Sequence, residues 1–366
     1  MSKKKGTIAV LTGGGDCPGL NAVIRAVGKT AIENGYEIYG IQNGFNGLIT
    51  NSMQLLTNKE LSGLLPRGGT VLGTTNRDNP FKFAVGEDSK GNVIYADKSA
   101  EVVRNLKNHN IECLIVIGGD GSLHIAAELS ERCDVNVVGV PKTIDNDLPY
   151  TERTFGFDTA MAMATEALDR LHTTAESHHR VMALEVMGRY AGWIALHSGI
   201  AGGADCILLP EIPYDINSIL AKIRQRKENG KSFSIIVVAE GAKPVGGDIT
   251  VARMVKGSFE PIRLGGVGEK LVTEIEQKTG IESRCTVLGY LQRGGSPTAY
   301  DRVLSTRYGV AAVEAFMNRN FNTMVALQAN EIVTVPIVKV ATNPRGVPVD
   351  SDIIRAGRHI GICFGD

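Results

Sequence analysis

Residues 114–147 read LIVIGGDGSLHIAAELSERCDVNVVGVPKTIDND, and this segment determines which fold the chain is expected to adopt. Its two apolar runs, LIVI and VNVVGV, are typical of buried parallel strands. The amphipathic residues 123–131 between them are enough for a crossover helix. The segment therefore predicts one β-α-β unit of a parallel sheet, in which ligands bind at the carboxyl ends of the strands.

The first strand of this unit ends in the turn Gly118-Gly119-Asp120-Gly121-Ser122. Glycines let backbone N–H groups approach phosphate oxygens closely, and Ser122 is expected to start a helix whose N-terminus favours anions. Asp120 is a natural ligand for Mg²⁺, which prefers one or two carboxylates together with phosphate oxygens and water. The turn is thus suited to a metal-bound polyphosphate, although a glycine-rich turn alone is also common without a ligand.

The second strand ends in Pro141-Lys142-Thr143-Ile144-Asp145-Asn146-Asp147. Asp145 and Asp147 place two carboxylates on alternate residues, so one can act as a general base while the other holds a metal or a donor group. An acidic loop alone is usually only solvated. Two such turns on adjacent strands of one unit favour a shared site.

Composition narrows the function classes. The 366 residues predict two domains, and 39 basic against 39 acidic residues give no electrostatic reason to expect nucleic acid or a membrane surface as partner. The six cysteines are scattered without a C-x-x-C pair, which fits reduced thiols in a cytoplasmic protein. No apolar run approaches the roughly 20 residues that span a bilayer.

A further glycine turn, GGGDCPG at residues 13–19, follows a predicted strand at residues 7–12. No Gly-Lys-Ser/Thr follows it, so it is not a P-loop. Pro18 stands where the last glycine of a dinucleotide-binding G-x-G-x-x-G would be, which argues against a dehydrogenase.

These motifs together resemble the 6-phosphofructokinase family. GGGDCPGLNAVIR, GGDGS, PKTIDND, MGRYAGW and TVLGYLQRGGSPTAYDR occur in the family's order and cover nearly the whole chain. The resemblance implies an α/β fold of two doubly wound, mostly parallel-sheet lobes with the active site in the cleft between them. It implies approximate lobes at 1–155 plus 291–345 for the donor and at 156–290 plus 346–366 for the sugar phosphate.

The resemblance also implies an activity. A terminal phosphoryl group moves from ATP, with Mg²⁺, to the C1 hydroxyl of fructose 6-phosphate, in a cytoplasmic homotetramer or homodimer. NAD kinases and lipid kinases share GGDG but lack TIDND, MGR and QRGGSP. A regulatory subunit would be expected to have lost Asp145 or its neighbours, and this chain has them.

Roles at the donor and the reacting groups follow by residue. Asp145 is the expected base, Thr143 positions the transfer and Arg189 stabilises its charge. Arg77 is expected to bridge the donor and acceptor phosphates, since Asn76 occupies the family's arginine position. The donor site as a whole is expected to comprise Gly15, Asn76, Arg77, Gly119, Asp120, Gly121 and Ser122.

The sugar phosphate is expected to contact a larger set. Three arginines, Arg180, Arg284 and Arg293, are expected to cluster on the phosphate, with Arg180 and Arg284 supplied by a neighbouring subunit. Glu240 is expected to accept sugar hydroxyls, and Tyr290 replaces a histidine that many relatives have. The remaining expected contacts are Thr143, Ile144, Asp145, Met187, Gly188, Arg189, Leu291 and Gln292.

Donor choice depends on two catalytic-loop positions. Pyrophosphate users of the family tend to have aspartate where this chain has Gly121, and that glycine leaves room for a nucleotide. At the other position nucleotide users often have glycine, whereas this chain has Lys142. A lysine there is typical of pyrophosphate users. The combination resembles the mixed branch, whose members generally use ATP; pyrophosphate or another nucleotide such as ADP is the alternative.

Overall fold

The predicted β-α-β unit lies at the centre of a computed structural model that describes residues 4–254, 262–340 and 344–366. The strands are β1 (Thr7–Thr12), β2 (Glu37–Ile41), β3 (Met53–Leu55), β4 (Phe83–Glu87), β5 (Val93–Ala96), β6 (Ile111–Gly118), β7 (Val137–Pro141), β8 (Val181–Val186), β9 (Cys206–Leu208), β10 (Ser234–Ala239), β11 (Val251–Met254), β12 (Ile262–Leu264), β13 (Ser283–Val287), β14 (Thr323–Gln328) and β15 (Glu331–Pro336). The helices are α1 (Leu20–Glu33), α2 (Phe45–Thr50), α3 (Ser99–Asn108), α4 (Asp120–Cys133), α5 (Phe157–His178), α6 (Trp193–Ala201), α7 (Ile216–Glu228), α8 (Val267–Thr279), α9 (Ala299–Met317), α10 (Ile337–Val340) and α11 (Asp352–His359), with a 3₁₀ turn at Gly289–Arg293.

The larger sheet has seven strands in the order β15-β14-β7-β6-β1-β2-β3. Strands β14, β7, β6, β1 and β2 are parallel, whereas the edge strands β3 and β15 are antiparallel to their neighbours. Strand β1 is fully buried, as expected for a parallel strand covered by helices on both faces. Because β1, β6 and β7 are adjacent and parallel, the turns that follow them open at the same edge.

A second sheet has four parallel strands in the order β13-β8-β10-β9. Strands β8 and β10 are buried along their whole length. One hydrophobic core continues from the larger sheet through α5 into this sheet, for example from Ile115 through Leu168 to Val237. The prediction of an α/β fold with two mostly parallel sheets is confirmed.

One boundary differs from the sequence prediction. Helix α4 begins at Asp120 rather than after Ser122, because the extended backbone of Gly119 lets Asp120 occupy the first turn, where a carboxylate is favourable. Strand β13 ends at Val287, and the chain turns at Gly289, which takes a positive φ of 51°. This turn brings Tyr290 to Arg293 out of the sheet.

The segment 243–267, to which the sequence assigns no function, contains the antiparallel pair β11 and β12. Residues 255–261 of this segment lie outside the described residues. Among the helices of the described chain, none combines the length and the apolar character needed to cross a bilayer.

Candidate active site

Three loops meet at the carboxyl edge of the larger sheet. The N–H of Gly13 donates to Ile117 O at 2.9 Å, which joins the turn after β1 to the end of β6. The N–H of Lys142 donates to Gly118 O at 3.0 Å, which joins the turns after β6 and β7. The three glycine-rich or acidic turns predicted from the sequence therefore form one continuous surface.

Ser122 supports this surface from below. It is only 7% exposed, and a Cβ on Gly13 would lie 2.5 Å from its Oγ. A Cβ on Gly118 would lie 2.3 Å from the Ser122 Cβ. The glycines are thus required by close packing between the turn after β1 and the first turn of α4, and Ser122 has little surface left for a ligand.

Lys142 lies underneath the turn that follows β1. Its side chain is buried, and its Nζ donates a hydrogen bond to the carbonyl of Gly15. Burial lowers the pKa of Lys142, and the nearby Asp120 and Asp16 charges oppose that effect. The ammonium group therefore holds the backbone of residues 13–19, the expected donor loop, in place.

The loop after β7 presents its carboxylates through a left-handed turn. Asn146 has φ 53° and is 1% exposed, and its Oδ1 accepts from the N–H of Thr154 at 2.9 Å. The N–H of Asp145 donates to Thr143 Oγ1 at 3.1 Å, and the Thr143 side chain acts to lower the pKa of the Asp147 carboxyl. Asparagine tolerates this backbone conformation better than most residues, so Asn146 fixes the carboxylates on either side of it.

Ile144 is an expected substrate contact in the loop after β7. Its side chain is fully buried in the core with Val140 and Phe155. Only its backbone can face a substrate, and the contact at Ile144 stays a prediction for the main chain.

The carboxylates of this edge repel one another. Burial, followed by the charges of Asp145 and Asp120, raises the pKa of Asp147 to about 7. A divalent cation would relieve this repulsion, so the donor set fits Mg²⁺. No group of three or more His, Cys, Asp or Glu arranged to hold a metal occurs in residues 4–254, 262–340 and 344–366.

A second set of side chains comes from the smaller sheet. Glu240 follows β10, and its N–H donates to Val186 O at 2.9 Å, beside the turn of Met187, Gly188 and Arg189 that follows β8. The N–H of Gly241 donates to Gly188 O at 3.1 Å. A Cβ on Gly241 would lie 2.0 Å from Arg189 O, so the two turns touch backbone to backbone.

Glu240 connects the two sheet edges electrostatically. Burial, then the charges of Asp145 and Glu185, raise its pKa to about 7, while Arg293 and Arg189 act in the opposite direction. Asp145, Glu240, Arg189 and Arg293 therefore lie close enough for their charges to interact. Together they provide a carboxylate that can take a proton, a second carboxylate that can accept hydrogen bonds from hydroxyls, and two guanidinium cations. Phosphoryl transfer to an alcohol requires these groups.

The raised pKa values predict an unusual pH dependence of stability. Folded Asp147 and Glu240 hold protons up to about pH 7, whereas unfolded carboxyls release them near pH 4, so their contribution is present at low pH and is lost as the pH rises through 7. We expect the melting temperature of the ligand-free protein to fall by a few degrees from pH 6 to pH 8, because each group lowers the free energy of unfolding by about 1 kcal/mol over this range.

Differential scanning fluorimetry measures this directly. Glu240→Gln should reduce the fall, whereas Glu176→Gln, at an exposed position on α5, should leave it unchanged. An equal fall in wild type and Glu240→Gln would show that Glu240 does not titrate in this range.

Arg293 lies against the donor loop. Its Nη1 donates to Asp16 O at 3.1 Å, and a Cβ on Gly15 would lie 2.7 Å from the same Nη1. Tyr290 and Leu291, in the same 3₁₀ turn, are 71% and 64% exposed. Arg293 thus spans the space between the donor loop and Glu240.

Gln292 is an expected sugar contact whose amide is used inside the protein. It is fully buried, its Oε1 accepts from the N–H of Met187 at 3.3 Å, and its Nε2 donates to Gly289 O at 3.0 Å. The Gln292 side chain therefore positions the turn after β8. A sugar contact at this residue stays a prediction.

The expected cluster of three arginines is not formed within one chain. Arg180 precedes β8 and Arg284 opens β13, so both lie at the amino edge of the smaller sheet, opposite Arg189. Both bind Glu282, at 2.8 Å from Arg180 Nη2 and 2.5 Å from Arg284 Nη2. Arg293 lies at the other edge.

Asn76 and Arg77 are exposed in a loop beside the donor turn. Thr75 of this loop accepts from the N–H of Gly14 at 3.1 Å, and the Thr74 hydroxyl donates to Gly14 O at 2.6 Å. The loop is therefore fixed to the donor turn just before Asn76. The geometry places both candidates near the turn after β1 and does not favour one over the other.

Comparison with known proteins decides the family. A family model described as Phosphofructokinase matches residues 7–316. The chain belongs to the phosphofructokinase family. Another member, ATP-dependent 6-phosphofructokinase 2 of Clostridium perfringens, is 54% identical over 361 residues, covering 98% of each chain.

Two further phosphofructokinases add contrast. The pyrophosphate–fructose 6-phosphate 1-phosphotransferase of Amycolatopsis mediterranei is 49% identical over 345 residues, covering 94% of this chain and 96% of the relative. The crystal structure of Pichia pastoris phosphofructokinase in the T-state matches with a TM-score of 0.79 at 30% identity, over 93% of this chain and 36% of that longer chain. The family therefore includes relatives named for different donors at similar identity.

Sequence reasoning missed two residues that shape this phosphofructokinase site. Glu185, in the buried strand β8, accepts hydrogen bonds from the N–H groups of Gly266 and Gly268 at the start of α8. Arg345 donates from its Nη2 to Asn146 O at 3.0 Å, from 199 residues away in the sequence. A charged residue inside an otherwise apolar strand is a signal that could have identified Glu185, whereas nothing local marks Arg345.

Proposed function

We propose that this phosphofructokinase transfers the γ-phosphoryl group of ATP to the C1 hydroxyl of fructose 6-phosphate, giving fructose 1,6-bisphosphate. One observation carries the proposal: the loop of Asp145, joined to the glycine turn after β6 by the bond from Lys142 N–H to Gly118 O, is near enough to Glu240 at the end of β10 for the Asp145 charge to raise the pKa of Glu240. The family match and the name of the 54% identical relative support the reaction.

The chain's own groups have the following roles. Asp145 accepts the proton of the C1 hydroxyl, and the Thr143 hydroxyl holds the acidic loop. Arg189 stabilises the charge of the migrating group, and Glu240 accepts sugar hydroxyls. Asp120, with Asp145 or Asp147, would hold Mg²⁺, which would neutralise charge on the donor phosphates.

The contacts of Lys142 support ATP as the donor. Its ammonium group donates to Gly15 O beneath the donor loop and is buried. The pyrophosphate-type residue is therefore engaged by the backbone, while Gly121, in the first turn of α4, adds no side chain that would crowd a nucleotide. On this basis Gly121 determines donor size.

Initial rates with fructose 6-phosphate and Mg²⁺ test the proposal, with ATP, ADP and pyrophosphate at equal concentration. ATP should give the highest rate. A higher rate with pyrophosphate would show that Lys142 determines the donor, and a higher rate with ADP would overturn the choice of nucleotide. No reaction with any donor would contradict the proposed activity.

The arrangement of subunits and lobes is part of the proposal. We place the donor lobe at 1–155 plus about 291–345 and the sugar lobe at about 156–290 plus 346–366, in a cytoplasmic homotetramer or homodimer. Since Arg180 and Arg284 lie far from Arg293 within the chain, a neighbouring subunit would have to supply them to the sugar phosphate. Their paired contact with Glu282 leaves the Arg284 side chain 51% exposed, as such a role needs.

A further inference from the structure

A cavity of about 330 Å³ lies behind the acidic loop. Its walls include Asn146 of that loop, Trp193 and His197 of α6, and Tyr300 of α9. Two guanidinium groups, of Arg153 and Arg345, also line it. The proposed reaction uses none of these side chains, so the cavity requires another explanation.

Arg345 joins the cavity to the acidic loop. Its N–H donates to Asp147 O at 2.6 Å, and its Nη2 donates to Asn146 O at 3.0 Å and Glu152 O at 3.1 Å. Its Nε is buried with no hydrogen-bond partner among the described residues. The guanidinium group therefore supports the loop that carries Asp145 and still has donor capacity.

Trp193 forms the wall next to Arg345. The guanidinium carbon of Arg345 lies 4.7 Å from the centre of the Trp193 ring, and Trp193 Nε1 donates to Arg345 O at 2.9 Å. His197 lies 6.1 Å from the same ring, centre to centre. Any group that binds Arg345 thus changes the surroundings of the indole.

The cavity carries positive charge. Arg153 stacks on Phe157 at 4.9 Å, and no carboxylate pairs with it among the described residues. Burial and the charges of Arg153 and Arg345 lower the pKa of His197 to about 4. Glu152 is the single carboxylate in the lining, and it accepts from the N–H of Ala329 at 2.8 Å. The positive charge of the two arginines therefore exceeds the negative charge of the lining.

We infer that this cavity is a binding site for a small phosphate-bearing anion, held by Arg153 and Arg345 against Trp193. Two guanidinium groups supply paired donors for phosphate oxygens. Trp193 and Tyr300 offer aromatic surface for an organic remainder. Because an anion on Arg345 shares the guanidinium group that holds Asn146 O, its pull on that group loosens the acidic loop and lowers turnover.

The chain's only tryptophan makes the test specific. Trp193 emission is titrated with inorganic phosphate in the full-length protein, in Arg153→Gln and in Arg153→Glu. We expect a saturable change in wild type and an apparent Kd at least tenfold higher in both variants. Arg153 makes no side-chain hydrogen bond in the described chain, so both variants should keep the wild-type melting temperature.

Arg189→Gln is the matched control, because Arg189 faces the active site. It should show the same apparent Kd for the Trp193 signal as wild type. A signal lost in Arg189→Gln but kept in the Arg153 variants would assign the phosphate to the active site and overturn the proposal. The absence of a saturable change in wild type up to about 50 mM phosphate, about 50-fold above a millimolar Kd, would also overturn it.

Discussion

Asp145→Asn is expected to lower kcat by about 10²–10⁴-fold, the usual contribution of a general base. Asparagine keeps the shape of the side chain but cannot take the proton from the C1 hydroxyl. The loop should survive the change, since it is held by Thr143, Asn146 and Arg345 rather than by the Asp145 carboxylate alone. Steady-state rates at saturating fructose 6-phosphate and ATP measure the effect.

Asp169→Asn, at an exposed position on α5, is the matched control and should keep wild-type turnover. The melting temperature of Asp145→Asn should stay within a few degrees of wild type. Turnover within threefold of wild type would remove Asp145 from the role of base. A large loss of melting temperature would mean that lost structure accounts for the lost activity.

Gly241→Ala is expected to lower kcat by about 10²-fold. Its new Cβ would lie 2.0 Å from Arg189 O, at a contact between two backbone segments that no side-chain rotation can relieve. The turn carrying Arg189 must therefore move by about 1 Å, and a misplacement of that size near reacting groups costs about this much. The measurement is kcat together with the melting temperature.

Gly86→Ala is the matched control, because a Cβ at Gly86 meets nothing within 4 Å. It should leave both kcat and melting temperature unchanged. If Gly241→Ala has wild-type kcat, the close contact between the turns after β8 and β10 does not position Arg189 for catalysis.

Local patterns predicted the sheet and the loops at its edge. The apolar runs of β6 and β7 and the glycines around Asp120 are consecutive in the sequence, and parallel strands bring their carboxyl ends together. The adjacency of the turns after β1, β6 and β7 followed from the same rule. The burial of the Gln292 amide could not be predicted in this way, since a polar residue in a glycine-rich loop gives the same sequence pattern whether it faces a ligand or the interior.

Contacts between distant segments could not be predicted. Arg345 supports Asn146 only because the chain returns past α6 after the larger sheet is complete. The need for glycine at position 241 depends on how closely two backbone segments approach each other, and the hydrophobic periodicity of the sequence carries no information on that distance. The separation of Arg180 and Arg284 from Arg293 depends on the direction of β8 and β13, which the motif order leaves unspecified.

The support that Arg345 gives has an evolutionary consequence. The family model ends at residue 316, and the expected substrate contacts all lie before that point, whereas Arg345 lies beyond it. A substitution of Arg345 changes how firmly the acidic loop is held without changing any group expected to contact substrate. Turnover could therefore diverge between lineages through the tail while the reaction itself stayed the same.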